Sequence, residues 1–513
     1  MGAALAAARQ ASSMSLSASA SLADAPGAPG RPNLNQREIY AILGGVILAM
    51  FLAALDQTIV ATALATIGRD LGDPDLLPWV VSIYLLAATT VTPLYGKASD
   101  IWGRRPLMMT AIAVFLAGSV ACALAPDMIS LIVARGVQGL GGGGLISLAQ
   151  TVLADVLTPR ERSRYQIHIA SVFATSSLLG PALGGFLSGH LHWSAIFWIN
   201  LPLGGVALWL CARLLKRLPR HERRHRLDFA GALLLMGATI SLLLAMGWGG
   251  HRYPWFSWPI AAAVGLSLAL WVLFALHVRR AREPLIPLDI LRNRVVVRAC
   301  VAACFGMGVF VGLSIYAPLY FEIVRSFSTA DAGLGVTPMM VATVFGATAS
   351  GRSMVYFNRY KGVALTGLAI SCLCLAALAV FPLETRPPWI TIALLAATSA
   401  GVGSLFPVCT ISIQNAVALH QLGTATAAMN FFRQMGAALI VAAFGAIMLN
   451  GAAFAGHAAG FSGEGVRIAG ALTPDAAHGL AMVFRWIFGA AALGVLIAAG
   501  FLASMEERPL RSA

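Results

Sequence analysis

The run IYAILGGVILAMFLAALDQTIVATA, residues 39–63, carries a single formal charge, at Asp56. As an α-helix, about 20 apolar residues reach across the hydrocarbon core of a bilayer. Thirteen further stretches of the same character follow, the last at 480–504. A water-soluble fold has no use for fourteen such helices. The chain therefore reads as an all-α polytopic membrane protein with 14 transmembrane helices. Its function has to be sought in the few polar groups it places in lipid.

Composition agrees. The 513 residues are 58% hydrophobic and only 11% charged, against roughly 25% charged in a typical soluble domain. The net charge of +14 invites a nucleic-acid reading, but its distribution argues otherwise. Of 35 Lys and Arg, 27 fall in the termini and in alternate loops, five in the opposite loops, and three (Arg135, Arg433, Arg485) in or at helices. That asymmetry follows the positive-inside rule and sets both termini in the cytoplasm. The basic surface then faces anionic lipid headgroups, with no nucleic acid as partner. Seven cysteines (Cys122, Cys211, Cys300, Cys304, Cys372, Cys374, Cys409) lie in or at the ends of apolar stretches. They read as small buried hydrophobes. Cys372-Leu373-Cys374 lacks the two-residue gap of a metal or redox pair.

Residues 1–38 are Ala/Ser/Pro/Gly-rich and read as a disordered cytoplasmic tail without a cleavable signal peptide, with Met14 as an alternative start. A six-helix bundle is expected over 39–215. Residues 216–298 hold a basic loop, two linker transmembrane helices and a second basic loop. A second six-helix bundle spans 299–504, and 505–513 is a cytoplasmic tail. Two six-helix halves match the parallel-repeat plan of many secondary transporters. The longest outside segment, 450–479, is Gly/Ala-rich and reads either as lying on the membrane surface or as a small hairpin.

Several strings carry the chemistry. GKASDIWGRR (96–105) joins helices two and three. Its glycines Gly96 and Gly103 allow a tight turn, Asp100 is placed to accept from a neighbouring helix N-terminus, and Lys97, Arg104 and Arg105 hold the loop inside. LDQTIVATALATI (55–67) puts Asp56 in an apolar span, where an ionised, unpaired carboxylate costs about 2.5 kcal/mol or more. Asp56 is therefore expected to face a cavity and to carry a proton, or else to be a structural carboxylate bonded to Gln57 or a neighbouring helix. RGVQGLGGGG (135–144) adds a second intramembrane charge, Arg135, on a glycine-rich helix that lets another backbone approach closely. The alternative for Arg135 is a side chain reaching to the interface. SLLGPALGG (177–185), with Gly180, Pro181, Gly184 and Gly185, makes a bendable helix or a plain packing kink. WSAIFWINLPLG (193–204) contains Asn200 and Pro202, read as packing groups. YAPLYFE (316–322) ends on Glu322, which either serves a cationic substrate or a second proton or pairs with Arg325. GTATAAMNFFRQMG (423–436) contains Asn430, Arg433 and Gln434, with Arg433 expected to tie the cytoplasmic ends of the second half together. Gln57, Gln138, Glu322 and Gln434 are candidates for substrate contact or gating.

Together these strings resemble the major facilitator superfamily, and within it the fourteen-helix drug:proton antiporters of the EmrB/QacA type. The resemblance covers roughly 38–504. It implies two bundles plus two inserted helices, with Asp56 and Arg135 in proton coupling. Residues 96–105 would be a latch that stabilises the outward-open state, and the helix-five glycines an antiporter signature. The match is partial: Ala98 and Ile101 replace the usual Leu and Arg, Ser176–Ser177 replace an upstream glycine, Ser194–Ala195 stand for Arg-Trp, and Glu322 for Gln. The implied function is proton-coupled efflux of small amphipathic or cationic compounds across the cytoplasmic (inner) membrane, or dedicated export of a metabolite or siderophore. The proton gradient would drive it, without cofactor or metal. Partners would be the substrate, protons and the bilayer. Some Gram-negative members also use a periplasmic adaptor and an outer-membrane channel. No phosphate-binding GxxxxGK[ST] loop and no hydrolase elbow is present, so no enzymatic activity is expected.

Overall fold

The computed structural model describes residues 35–73, 76–217, 227–250, 252–356, 360–382, 386–458, 474–507 and 509. Residues 1–34 of the tail expected over 1–38, most of the first basic loop, the middle of the 450–479 segment and the last residues of the C-terminal tail lie outside them, whereas Gln36 to Glu38 already belong to the first helix. Fourteen helices among the described residues are long and apolar enough to cross a membrane. They are α1 (Gln36–Leu71), α2 (Leu77–Trp102), α3 (Arg104–Ala123), α4 (Met128–Val156), α5 (Pro159–His190), α6 (Ala195–Leu214), α7 (Phe229–Trp248), α8 (Trp258–Arg280), α9 (Arg294–Ile323), α10 (Thr329–Tyr356), α11 (Lys361–Val380), α12 (Pro388–Ala416), α13 (Leu422–Ala458) and α14 (Pro474–Ser504). Helix α6 is interrupted at Ile199, just before Asn200.

Local sequence explains where the helices begin. Asp127 caps α4 by accepting from Ser130 N (2.8 Å). Thr158 and Glu161 form a reciprocal capping box ahead of Pro159 at the start of α5. Asp228 caps α7 and Asn293 caps α9. Between α2 and α3 the chain reverses at one residue, Gly103, whose φ of +90° suits glycine. This corrects the expectation of a ten-residue loop. Gly96 to Trp102 continue α2, and Arg104 and Arg105 open α3. Gly96 serves close helix packing instead of a turn, since a Cβ there would overlap Ala427 and the Gly423 backbone on α13.

The packing has internal symmetry. In the first six helices, α1 packs on α4, α5 and α6, α4 on α2 and α3, and α3 on α6. In the last six, α9 packs on α12, α13 and α14, α12 on α10 and α11, and α11 on α14. Each contact of one set has its counterpart eight helices on, as a parallel repeat demands. The sets meet along two seams, α2 against α13 and α5 against α10. The α7–α8 hairpin lies beside the first seam. Helix α7 packs on α2 and α13, and Trp271 of α8 meets Phe431 of α13 with ring centroids 6.3 Å apart.

Candidate functional site

Asp56 and Arg135 meet inside the first six-helix set. Arg135 Nη1 donates to Asp56 Oδ2 at 2.6 Å, while Oδ1 accepts from Gln138 Nε2 (2.8 Å) and Asn200 Nδ2 (3.0 Å). Ser119 Oγ on α3 lies 2.8 Å from both amide nitrogens. Arg135 donates further to Gln138 Oε1 (2.7 Å) and, through Nε, to the Val80 carbonyl (3.1 Å). Its guanidinium lies 4.3 Å from the Tyr84 ring centre. The glycine face of α4 makes this possible: a Cβ at Gly139 or Gly143 would overlap the α2 backbone at Tyr84 and Ala88. Val80 and Asn200 lie near the starts of α2 and α6, and Ser119 near the end of α3. The network therefore sits toward the end of the molecule opposite Gly103.

Asp56 is 0% and Arg135 1% exposed. Two expectations change. Asp56 does not face a cavity, because side chains of α4 and α6 satisfy its oxygens directly. Arg135 does not reach to an interface, because three acceptors and an aromatic face hold it in place. Asn200, read from sequence as a packing group, is a ligand of the carboxylate. Gln57 is half-buried on the same helix as Asp56 and supplies none of these bonds. A hydrogen bond to a charged group contributes about 1.5–3 kcal/mol, so Asn200→Leu is expected to lower stability by about that much. Thermal unfolding of the detergent-solubilised protein checks it. An unchanged melting temperature would show that the carboxylate does not depend on Asn200.

The helix-five glycines lie against the same part of α1. A Cβ at Gly180 would overlap Thr58, and one at Gly184 would overlap Thr62 and Ile59. Thr58 Oγ1 donates to the Ser176 carbonyl (2.9 Å). Gly185 faces open space, and Pro181 lies within the helix.

The second polar assembly ties the two sets together at the Gly103 end. Asp100 accepts from Gly423 N (3.1 Å), Thr424 N (2.7 Å) and Thr424 Oγ1 (2.7 Å), capping the start of α13. Arg104 bridges Asp100 (2.5 Å) and Asp155 of α4 (2.7 Å). Arg105 Nε donates to the Ala212 carbonyl (3.1 Å). Lys97 is half-buried and lines a cavity of about 340 Å³ together with Asp100 and Thr424. Further bonds cross between the sets: Arg162 donates to Gln414 Oε1 (2.6 Å), Asn430 to Gln150 Oε1 (2.8 Å), and Thr89 to Gln434 Oε1 (3.0 Å).

Comparison with known proteins places the repeated helical architecture in a family. The family model described as Major Facilitator Superfamily matches residues 46–441. The chain belongs to the major facilitator superfamily. It is 32% identical over 408 residues to Multidrug transporter protein MdtP of Bacillus subtilis (strain 168), covering 79% of this chain and 75% of that one. It is 31% identical over 428 residues to Efflux pump FUS6 of Gibberella fujikuroi (strain CBS 195.34 / IMI 58289 / NRRL A-6831), covering 82% and 77%. The structure of the human organic anion transporter MFSD10 (TETRAN) superposes with a TM-score of 0.62 at 16% identity, covering 90% of this chain and 99% of that one. At that identity the likeness concerns the fold alone.

Within this facilitator fold the remaining sequence candidates scatter. Gln434 crosses the α2–α13 seam. Gln138 belongs to the Asp56 network. Glu322 is half-buried at the end of α9, far along the chain from either assembly, and Arg325 donates to the Arg386 carbonyl (2.8 Å). Arg433 does not tie helix ends together: its Nε is buried without a partner, and its Cζ lies 6.0 Å from the Phe406 ring centre. Sequence reading missed Ser119, Gln150, Asp155, Arg162 and Gln414. Polar residues in otherwise apolar spans were the available signal, and it was as strong for Gln150 as for Gln138.

Proposed function

We propose that this chain is a proton-coupled exporter of small amphipathic compounds, working by alternating access in the cytoplasmic membrane with both termini in the cytoplasm. The buried Asp56–Arg135 pair is the observation that carries the reading. The multidrug and efflux names of the relatives support the substrate class. The fungal relative argues against a periplasmic adaptor and outer-membrane channel as partners.

The joined Gly103 end corresponds to a state closed toward the cytoplasm. In it Asp56 is ionised and compensated by Arg135. A proton arriving from outside neutralises Asp56, and the 2.6 Å ion pair loses its attraction. Arg135 keeps Gln138, the Val80 carbonyl and Tyr84, so α1 can separate from α4 without stranding a bare cation. Neutral Asp56 no longer carries a charge through the closed intermediate. Once the halves rock and the proton leaves inward, the pair re-forms. One proton contributes about 1.4 kcal/mol per pH unit and ~2.3 kcal/mol per 100 mV. Their sum supports a few-hundred-fold substrate gradient on the order of 3.7 kcal/mol.

Acid-driven uptake of an amphipathic dye into inside-out vesicles carrying Asp56→Asn tests the coupling. The side chain keeps its shape and its hydrogen-bonding oxygen, so folded protein is expected, and proton-driven uptake should fall to background. Full retained uptake removes Asp56 from the coupling.

A further inference from the structure

Arg433 is a further guanidinium inside the helical bundle, and no carboxylate among the described residues compensates it. It lies about 17 Å along α13 from that helix's start, near mid-membrane. Its Nε is buried without a hydrogen-bond partner, and among the described residues no carboxylate forms an ion pair with it. Asp56 is already matched by Arg135. An arginine does not shed its proton in proteins, and an unpaired charge inside a membrane is costly enough to mark a site.

Its direction follows from its neighbours on α13. At about 100° per residue, Arg433 stands about 60° from Asn430 on one side and about 60° from Gly436 on the other. Asn430 meets Gln150 on α4 of the first set. A Cβ on Gly436 would overlap Cys304 on α9 of the second. Arg433 therefore points between α4 and α9, where the two sets face each other. Two aromatic rings stand there as well: Phe406 of α12 lies 6.0 Å from the guanidinium carbon, and Phe310 of α9 packs edge-on against Phe406 with centroids 6.4 Å apart. Gln434, next along the helix, spans to Thr89 of the first set.

We infer that Arg433 anchors the cargo, and that the cargo is an amphipathic organic anion, an aromatic carboxylate or sulfonate. The planar guanidinium supplies a two-pronged match to such a group, and Phe310 and Phe406 take the apolar body. This deepens the transport reading, on which it rests, by naming the class of compound. It also alters the energetics. A monovalent anion moving outward against one inward proton transfers two charges, whereas a monovalent cation transfers none.

Equilibrium binding of fluorescein, an aromatic carboxylate dye, to the purified full chain in lipid nanodiscs tests this, read by fluorescence anisotropy. The unaltered protein should bind it, and Arg433→Gln should weaken binding by about 30-fold or more. Arg433→Lys keeps the charge but loses the fork, and should weaken binding by about tenfold. Ethidium, a cation, serves as the control, and its binding should not weaken in either variant. Equal fluorescein affinity in all three proteins, or no binding by the unaltered one, overturns the proposal. Should Arg433→Gln fail to fold, Arg433→Lys decides alone. Fluorescein binding that depends on Arg433, combined with absent proton-driven transport in vesicles, would sustain the anion site and remove the proton coupling.

Discussion

Arg135→Ala is expected to destabilise the protein by about 3–5 kcal/mol, because it strands the Asp56 carboxylate in a dry interior with only two amides to face it. The loss arises from the orphaned charge more than from the bond removed. Asp56→Asn combined with Arg135→Met should therefore recover most of it, since an apolar or neutral pair of similar volume is often no less stable than a buried ion pair. Thermal unfolding in detergent of the two single variants and the double variant measures the coupling directly. Losses that simply add would show that the 2.6 Å contact carries no special weight. The double variant separates folding from function: it should be stable and inactive in proton-driven transport.

Asp100→Ala is expected to open the opposite end. Asp100 accepts two backbone N–H groups and a hydroxyl from the start of α13, besides the Arg104 guanidinium. Without it α13 loses its cap and Arg104 keeps only Asp155 and the Ser99 hydroxyl. Losing about 2–3 kcal/mol of closure shifts a two-state equilibrium by roughly 30–150-fold toward a state open at the Gly103 end. Ala427, which is 0% exposed and lies where α13 presses on Gly96, is a suitable reporter. With the seven native cysteines replaced, maleimide should label an Ala427→Cys side chain much faster when Asp100→Ala is present. Equal labelling rates would mean that the latch does not hold the gate.

Legibility followed the kind of physics each feature depends on. Membrane-spanning helices are local: a stretch of apolar side chains satisfies its own backbone and needs no partner to be recognised. The fourteen spans could thus be read directly, and so could Asp100 as an acceptor for a helix N-terminus, because an acid in the GKASDIWGRR string at the end of an apolar span needs donors close by. Asn200 and Ser119 were not legible. An amide or hydroxyl in an apolar helix shows that a partner exists, without saying on which of thirteen other helices it lies. Asp155 and Arg104 are 51 residues apart, and Arg162 and Gln414 are 252 apart. The misreading of Arg433 had the same origin, since its position in a helix-thirteen string shows its depth and leaves its counter-charge unnamed.

The amino-acid sequence on its own determined that this is a helical membrane protein with a repeated architecture, because hydropathy and charge asymmetry act residue by residue along the chain. Tertiary structure alone decided that Asp56 is sealed among donors from neighbouring helices while the Arg433 Nε is left without an acceptor. A buried charge is compensated by whatever lies within about 3 Å of it, and proximity at that scale is a property of helix packing.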